Sequence, residues 1–333
     1  MKKSLFFITA IFFSLILSSC FLLPQNESEK KILTIGFSYS GRNSEPYLSN
    51  QASIREAFSD ASKYRIVEFN SNCEIKEQVN NIYSFVQRKV DFIIVDPVNE
   101  HGLKYAIDNC FLHNIPVIVC GNSVATESDH ENRVVYEVRP DFYREAVLAT
   151  KCLELYEQGK VDVEILVLND FADTTSARER NLAIGEAVEK NEGWKIISKR
   201  ETNGEYIMAK SLMEEVYAEC PGLDVVFVES ENDYQGVIDV LFKHGKMPGE
   251  DVYIFAFEDT DNLRRMIMSG VLNYTVVKNQ DVGQEISYVI NRIKKGKSYK
   301  KTNLADAQGL YSNKSIEEKI VSREGNILYK IFE

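Results

Sequence analysis

Short polar runs stand directly after apolar, β-branched segments, and their side chains suit a polyhydroxylated molecule held by hydrogen bonds. Ser38, Tyr39, Arg42, Asn43 and Tyr47 follow the first such segment. Asp96, Asn122, Asp170 with Thr174, the run Glu229-Ser230-Glu231-Asn232, and Glu258-Asp259 follow later ones. Carboxylates and amides pair with neighbouring hydroxyls, and an aromatic ring covers the apolar face of a sugar. Each residue also has an ordinary competing role, because Asp, Ser and Asn after a strand often cap the next helix. It is the set that points to a binding site.

Bond-breaking chemistry leaves no comparable signature. Gly36-Phe37-Ser38-Tyr39-Ser40-Gly41 resembles a nucleophile elbow with its closing glycine one place too late. No P-loop, G-x-G-x-x-G or H-E-x-x-H occurs. His101, His113, His130 and His244 are scattered and read as surface or packing residues, so neither a metal site nor a cofactor is expected. Glu229 and Glu231 could act as an acid–base pair on a glycosidic bond, but such pairs are common. The expectation is a binding protein and not an enzyme.

Ligands of open α/β sheets sit beyond the carboxyl ends of the strands, so the elements matter for where they end. The spacing predicts strands over Ile32–Phe37, Phe92–Val95, Pro116–Val119, Val134–Val138, Val163–Leu168, Val225–Val228, Tyr253–Phe257 and Asn273–Val277. Ile75, Val79, Ile82 and Val86 mark one helix face. Further helices are predicted over Leu103–His113, Phe142–Tyr156 with Asp141 as its cap, Ala177–Lys190 and Ile207–Ala218. Gln235–Lys243, Leu263–Ser269 and Val282–Lys295 complete the set. Repeated βαβ units imply an α/β fold of parallel sheets with helices on both faces. One unit occurs twice: Val90–Asp96 leads through a helix to Ile115–Val119, and Leu223–Glu229 leads through a helix to Asp251–Phe255. This weak duplication suggests two similar lobes.

The 333-residue chain opens with a second kind of chemistry. Lys2 and Lys3 precede an apolar run from Leu5 to Leu17, which ends in Leu17-Ser18-Ser19-Cys20. The run is shorter than the ~20 residues a comfortable membrane span needs, and it reads as a secretory signal over 1–20. Its ending resembles a bacterial lipobox, with Cys20 as the lipidated residue and 21–31 as a tether. The remaining ~300 residues suit two domains. A net charge of -11 argues against nucleic acid, which needs a basic footprint. Cys73, Cys110, Cys120, Cys152 and Cys220 include no C-x-x-C pair, so neither a zinc ribbon nor a redox motif is supported.

From Ile35 to about Gly296 the chain resembles the periplasmic sugar-binding proteins of bacterial ABC transporters, of the ribose/galactose type, and most of all their galactofuranose-binding branch. The resemblance lies in Ile35-Gly36-Phe37-Ser38, in Ser84-Phe85-Val86 with Val90 to Val98, and in Asn114 to Val119. Gly185 to Val188 and Lys246 to Val252 add to it. It implies a type I periplasmic binding protein: two Rossmann-like lobes joined by a three-crossover hinge, with ligand in the cleft. The crossovers fall near Val138, Val277 and Ala305. The lobes would then comprise 32–138 with about 278–305, and 139–277 with about 306–333. The family's ligand contacts fall on Ser38, Tyr47 as a stacking ring, Asp96, Asn122, Arg180, Ser230, Glu231, Glu258 and Lys278. Arginine often stands in the family at Asn122, Asn-Asp at Ser230-Glu231, aspartate at Glu258 and glutamine near Lys278. These departures leave a pentose or hexose, a polyol or a non-sugar solute open as ligand.

What the resemblance implies is a monomeric, exported, lipid-anchored receptor that hands its solute to an ABC permease. A sensory receptor serving a membrane kinase or chemoreceptor is the alternative. Sugar-responsive repressors share the fold but carry a DNA-binding headpiece where this chain has its export signal. If Cys20 is the anchor, Cys20→Ser is expected to release the protein from the membrane fraction. Cell fractionation with acyl labelling checks this, and an acylated, membrane-bound variant would contradict it.

Overall fold

The computed structural model describes residues 31–125, 133–157, 162–277, 281–305, 309–312 and 330–331. The first lobe is built on a parallel sheet. Its strands are β1 (Leu33–Tyr39), β2 (Tyr64–Asn70), β3 (Phe92–Val95), β4 (Val117–Cys120), β5 (Val134–Pro140) and β11 (Thr302–Ala305), in the order β11-β5-β4-β3-β1-β2. The second sheet comprises β6 (Val163–Asn169), β7 (Trp194–Glu201), β8 (Val225–Val228), β9 (Tyr253–Ala256), β10 (Tyr274–Val277), β12 (Gly309–Ser312) and β13 (Lys330–Ile331). Their order is β13-β12-β10-β9-β8-β6-β7, parallel except where β12 runs against β10.

Central strands read as unbroken apolar runs because helices cover both faces of each sheet. All four residues of β3, β4 and β8 are buried. The first lobe carries α1 (Glu45–Ala57), α2 (Ile75–Gln87) and α3 (Lys104–Leu112). The second carries α4 (Phe142–Tyr156), α5 (Thr175–Lys190), α6 (Tyr206–Glu219), α7 (Glu231–Lys243) and α8 (Asp261–Met268). The last helix, α9 (Val282–Lys294), returns to the first sheet, where Val282, Ile286, Val289 and Ile290 join the core around Ile35 and Phe37. Gly283 permits its close approach to α1: a Cβ there would stand 2.1 Å from the Ser53 carbonyl oxygen. Its own N–H donates to Ser53 Oγ at 2.7 Å.

The chain therefore passes between sheets three times: from β5 to α4, from β10 to α9, and from β11 to β12. Two apolar cores flank each sheet. Cys110, Cys120 and Cys152 lie in three of them as small hydrophobes. Among the described residues no helix is long and apolar enough to cross a membrane.

The lobes touch along one edge of the cleft. Glu100, in the loop after β3, receives two hydrogen bonds from the Arg178 guanidinium of α5, at 2.9 and 3.0 Å. The Glu100 N–H donates to the Asp173 carbonyl at 3.0 Å. Beside it, the Ser123 N–H donates to Thr175 Oγ1 and the Ser176 N–H to Asn122 Oδ1, both at 3.1 Å. One orphan donor at the start of α5, the Ser176 N–H, is thus satisfied from the opposite lobe.

Candidate functional site

A cavity of about 290 Å³ lies between the carboxyl ends of the two sheets. That is near the lower end of the size range of small-molecule sites. The first lobe contributes Arg42 and Tyr47 from the β1–α1 segment, with Gly121 and Asn122 after β4. The turn that aims Arg42 needs glycine before it. Gly41 has φ +94°, and a Cβ there would sit 2.4 Å from Asn70 Oδ1. Arg42 donates to the Tyr47 hydroxyl at 2.9 Å and to the Val98 carbonyl at 2.8 Å. Its guanidinium lies 5.1 Å from the Tyr47 ring centre and 4.4 Å from that of Phe171, across the cleft. Burial opposes the charge of Arg42, but Tyr47, Asp96 and Asp170 outweigh that and hold its pKa above the ordinary value. Burial pushes the Tyr47 hydroxyl up to about 12, against the pull of Arg42.

The second lobe supplies the floor. Arg180, on α5, donates to Glu229 Oε1 at 2.7 Å and to Glu145 Oε2 at 2.8 Å. Its guanidinium is sandwiched between Phe142 and Phe257, at 4.9 and 4.7 Å from the ring centres. Its Nε is buried with no protein acceptor. Burial works against this cation, yet the two carboxylates keep its pKa above the usual arginine value. Asp170 follows β6 on the cavity wall, with its N–H given to Glu229 Oε2 at 2.9 Å. Glu258 follows β9, and its Oε2 accepts the Glu231 N–H at the start of α7. Donors, acceptors and flat rings converge here. Among the described residues no group of His, Cys, Asp and Glu is placed to hold a metal.

A model of the periplasmic binding protein domain matches residues 35–298 of this chain. The chain belongs to the periplasmic binding protein family. Among the relatives of this family member, the ribose import binding protein of Bacillus subtilis is 22% identical over 282 residues, 84% of this chain and 87% of the relative. The galactofuranose-binding protein of Escherichia coli is 26% identical over 253 residues, 73% and 76% of the two chains. A Mycobacterium smegmatis structure in complex with β-D-fucofuranose superposes with a TM-score of 0.78 at 25% identity, over 84% of this chain and 91% of that one. The fold is that of a type I periplasmic binding protein, and the protein binds a solute and is not an enzyme.

Of the nine positions on which the family's ligand contacts fall, four, Tyr47, Asn122, Arg180 and Glu258, line the cavity together. Four others lie behind its wall. Ser38 is buried with its Oγ 3.2 Å from Ser71 Oγ. Asp96 accepts from the Ser40 N–H and Oγ, and its second oxygen faces Gly121, where a Cβ would stand 3.0 Å away. Burial pushes the Asp96 pKa up, opposed by Arg42 and by the two bonds from Ser40. Ser230 caps α7 by accepting the Asp233 N–H. Glu231 accepts from Thr260 and Asn262 and so ties α7 to the start of α8. Lys278 and Cys20 lie outside the described residues.

Arg42 and Asp170 stand in the sequence inventory of strand-end residues, but the family pattern passes over both. Phe142, Phe171 and Phe257 give no signal in the sequence, since an aromatic residue at an element's edge reads as core. The charges at Arg178 and Arg180 differ in kind: the Arg180 side chain is 7% exposed and that of Arg178 51%. Arg180→Ala leaves Glu145 and Glu229 buried without their cation and is expected to lower the unfolding free energy by about 3–5 kcal/mol. Arg178→Ala is expected to cost about 1 kcal/mol or less. Urea unfolding of both variants checks this, and equal losses would contradict the hub role of Arg180.

Proposed function

We propose that this protein is an exported, lipid-anchored receptor that captures a small, uncharged sugar and delivers it to an ABC importer. The observation that carries the reading is a small interlobe cavity where carboxylate acceptors, guanidinium donors and aromatic rings meet. Glu45, Asp170, Glu229, Glu258 and Asp259 line it beside Arg42, Arg180 and Arg264. Arg180 and Arg264 already hold carboxylates, the latter Asp259 and Asp261. A sugar acid or sugar phosphate would meet excess negative charge there, whereas hydroxyls would find acceptors on both lobes.

Sugars bound in the five-membered ring form are the favoured class. The named relatives include a galactofuranose-binding protein and a structure in complex with β-D-fucofuranose, and a structural neighbour from Shewanella sp. ANA-3 is bound to α- and β-L-arabinofuranose. In this reading Tyr47, Asn122, Arg180 and Glu258 touch the ligand, joined by Arg42 and Asp170. Ser38, Asp96, Ser230 and Glu231 act behind them, and Lys278 completes the set of ligand residues. The lobes comprise 32–138 with about 278–305, and 139–277 with about 306–333. Cys20 carries the lipid, and the receptor works as a monomer at the membrane surface.

Thermal unfolding and calorimetry against L-arabinose, D-galactose, D-ribose and D-fructose, with ribose 5-phosphate and galacturonate as anionic controls, test the proposal. At least one neutral sugar is expected to bind and to stabilise the fold, by about 2.7 kcal/mol at a concentration 100 times its Kd. Binding only of the anionic controls, or conversion of a sugar to product, would contradict it.

A further inference from the structure

Beneath the cavity wall lies a carboxyl that the ligand site as described does not use. Asp233, in the first turn of α7, is fully buried. No N–H or O–H group stands in good hydrogen-bond geometry to either of its carboxyl oxygens, or to the buried Oδ1 of Asp170. The two carboxyls instead lie within hydrogen-bonding reach of each other. Ionised carboxylates only accept, so a bond between them requires one shared proton.

The surroundings favour keeping that proton. Glu229 after β8 and Glu258 after β9 add negative charge around Asp233, and Glu229 adds it beside Asp170. The hydroxyls of Ser230, beside Asp170, and Thr202, beside Asp233, favour the ionised forms but are outweighed by burial, and Thr202 gives its proton to the Asn169 carbonyl. Across the cleft Arg42 attracts the charge of Asp170, while its own donors go to Tyr47 and Val98. Glu229 is held by Arg180 and by the Asp170 N–H, so it cannot turn to relieve the pair.

We propose that Asp233 is a positioning residue for the ligand site: by sharing one proton with Asp170 it fixes the carboxyl that the second lobe presents to the sugar. This rests on the reading of the cavity as a sugar site. Asp170 lines the cavity and Asp233 does not, so Asp233 acts through Asp170.

The pH consequence has a definite sign. Burial is the main cause that raises both groups, Asp233 to about 6 and Asp170 well above the ordinary carboxylate range. Carboxyls raised in this way favour the folded state at low pH, and that advantage is lost as pH rises through the folded values. Loss of the last shared proton leaves two like charges in contact in a site removed from water, and Asp170 must then move.

Asp233→Asn separates this role from plain packing, because an amide of the same shape donates to an ionised Asp170 with no shared proton. Infrared difference spectra in D2O at neutral pH are expected to show a protonated-carboxyl band in the wild type that Asp233→Asn lacks. The melting temperature of the wild type is expected to fall from about pH 6 to about pH 9 more steeply than that of Asp233→Asn. With L-arabinose as the probe, wild-type affinity is expected to fall about tenfold or more over that interval, and the Asp233→Asn profile to stay flat within about threefold. A wild type without the infrared band, or two variants with the same pH profiles, overturns the proposal. Should Asp233→Asn fail to fold, the wild-type band alone decides: it must be present at neutral pH and vanish on titration to high pH. A band and a pH-dependent melting temperature without any L-arabinose binding would refute the sugar reading for that probe and leave the shared proton standing.

Discussion

The guanidinium of Arg180 sits between two aromatic rings and two carboxylates, at the point where α4, α5, β8 and β9 meet. A cation withdrawn from water to this degree is tolerated only when its partners hold it in good geometry. Glu145 comes from the first turn of α4, Glu229 from the end of β8, Phe142 from the start of α4 and Phe257 from the end of β9. Three separate elements are thereby fixed against one side chain of a fourth. Glu229 in turn accepts the Asp170 N–H, so the position of the cavity wall depends on the same cluster.

The neighbours of Arg180 in sequence carry this order outward. Glu179 takes both terminal nitrogens of Arg139, which lies on β5 just before the first crossover. Arg178 reaches Glu100 on the opposite lobe. Three consecutive residues of α5 thus face the floor, the hinge strand and the facing lobe. The Arg178 contacts and the bonds from Ser123 and Ser176 exist only when the lobes are together. They favour the closed arrangement independently of any ligand, while a ligand that bridges both lobes shifts the population further in the same direction.

Much of this architecture is legible in the sequence because buried parallel strands leave a strong signal. Phe92–Val95 and Val225–Val228 match the observed strands residue for residue, as does the helix over Phe142–Tyr156 with its Asp141 cap. The elements without a signal are those with little to bury. β2 and β7 are edge strands that alternate between half-buried and exposed residues, and α1 buries only Gln51 and Ile54. Helix α7 begins at Glu231 and not at Gln235, because its first turn is polar and is held by Ser230 and Glu258 instead of by apolar packing. At the site, residue type and strand position bring out Arg42 and Asp170, but nothing in a linear pattern reveals that Asp233 lies against Asp170 or that Glu145 shares Arg180. Those contacts join elements far apart in the chain, and burial alone gives them their weight.

The central claim is that the two lobes close on a bound solute about the three crossovers. Small-angle scattering of the purified protein across a titration with a stabilising sugar measures this directly. The account predicts a smaller radius of gyration at saturation, and a larger one in the ligand-free state of Arg178→Ala than in that of the wild type. Identical scattering profiles with and without saturating sugar, in both proteins, would contradict it.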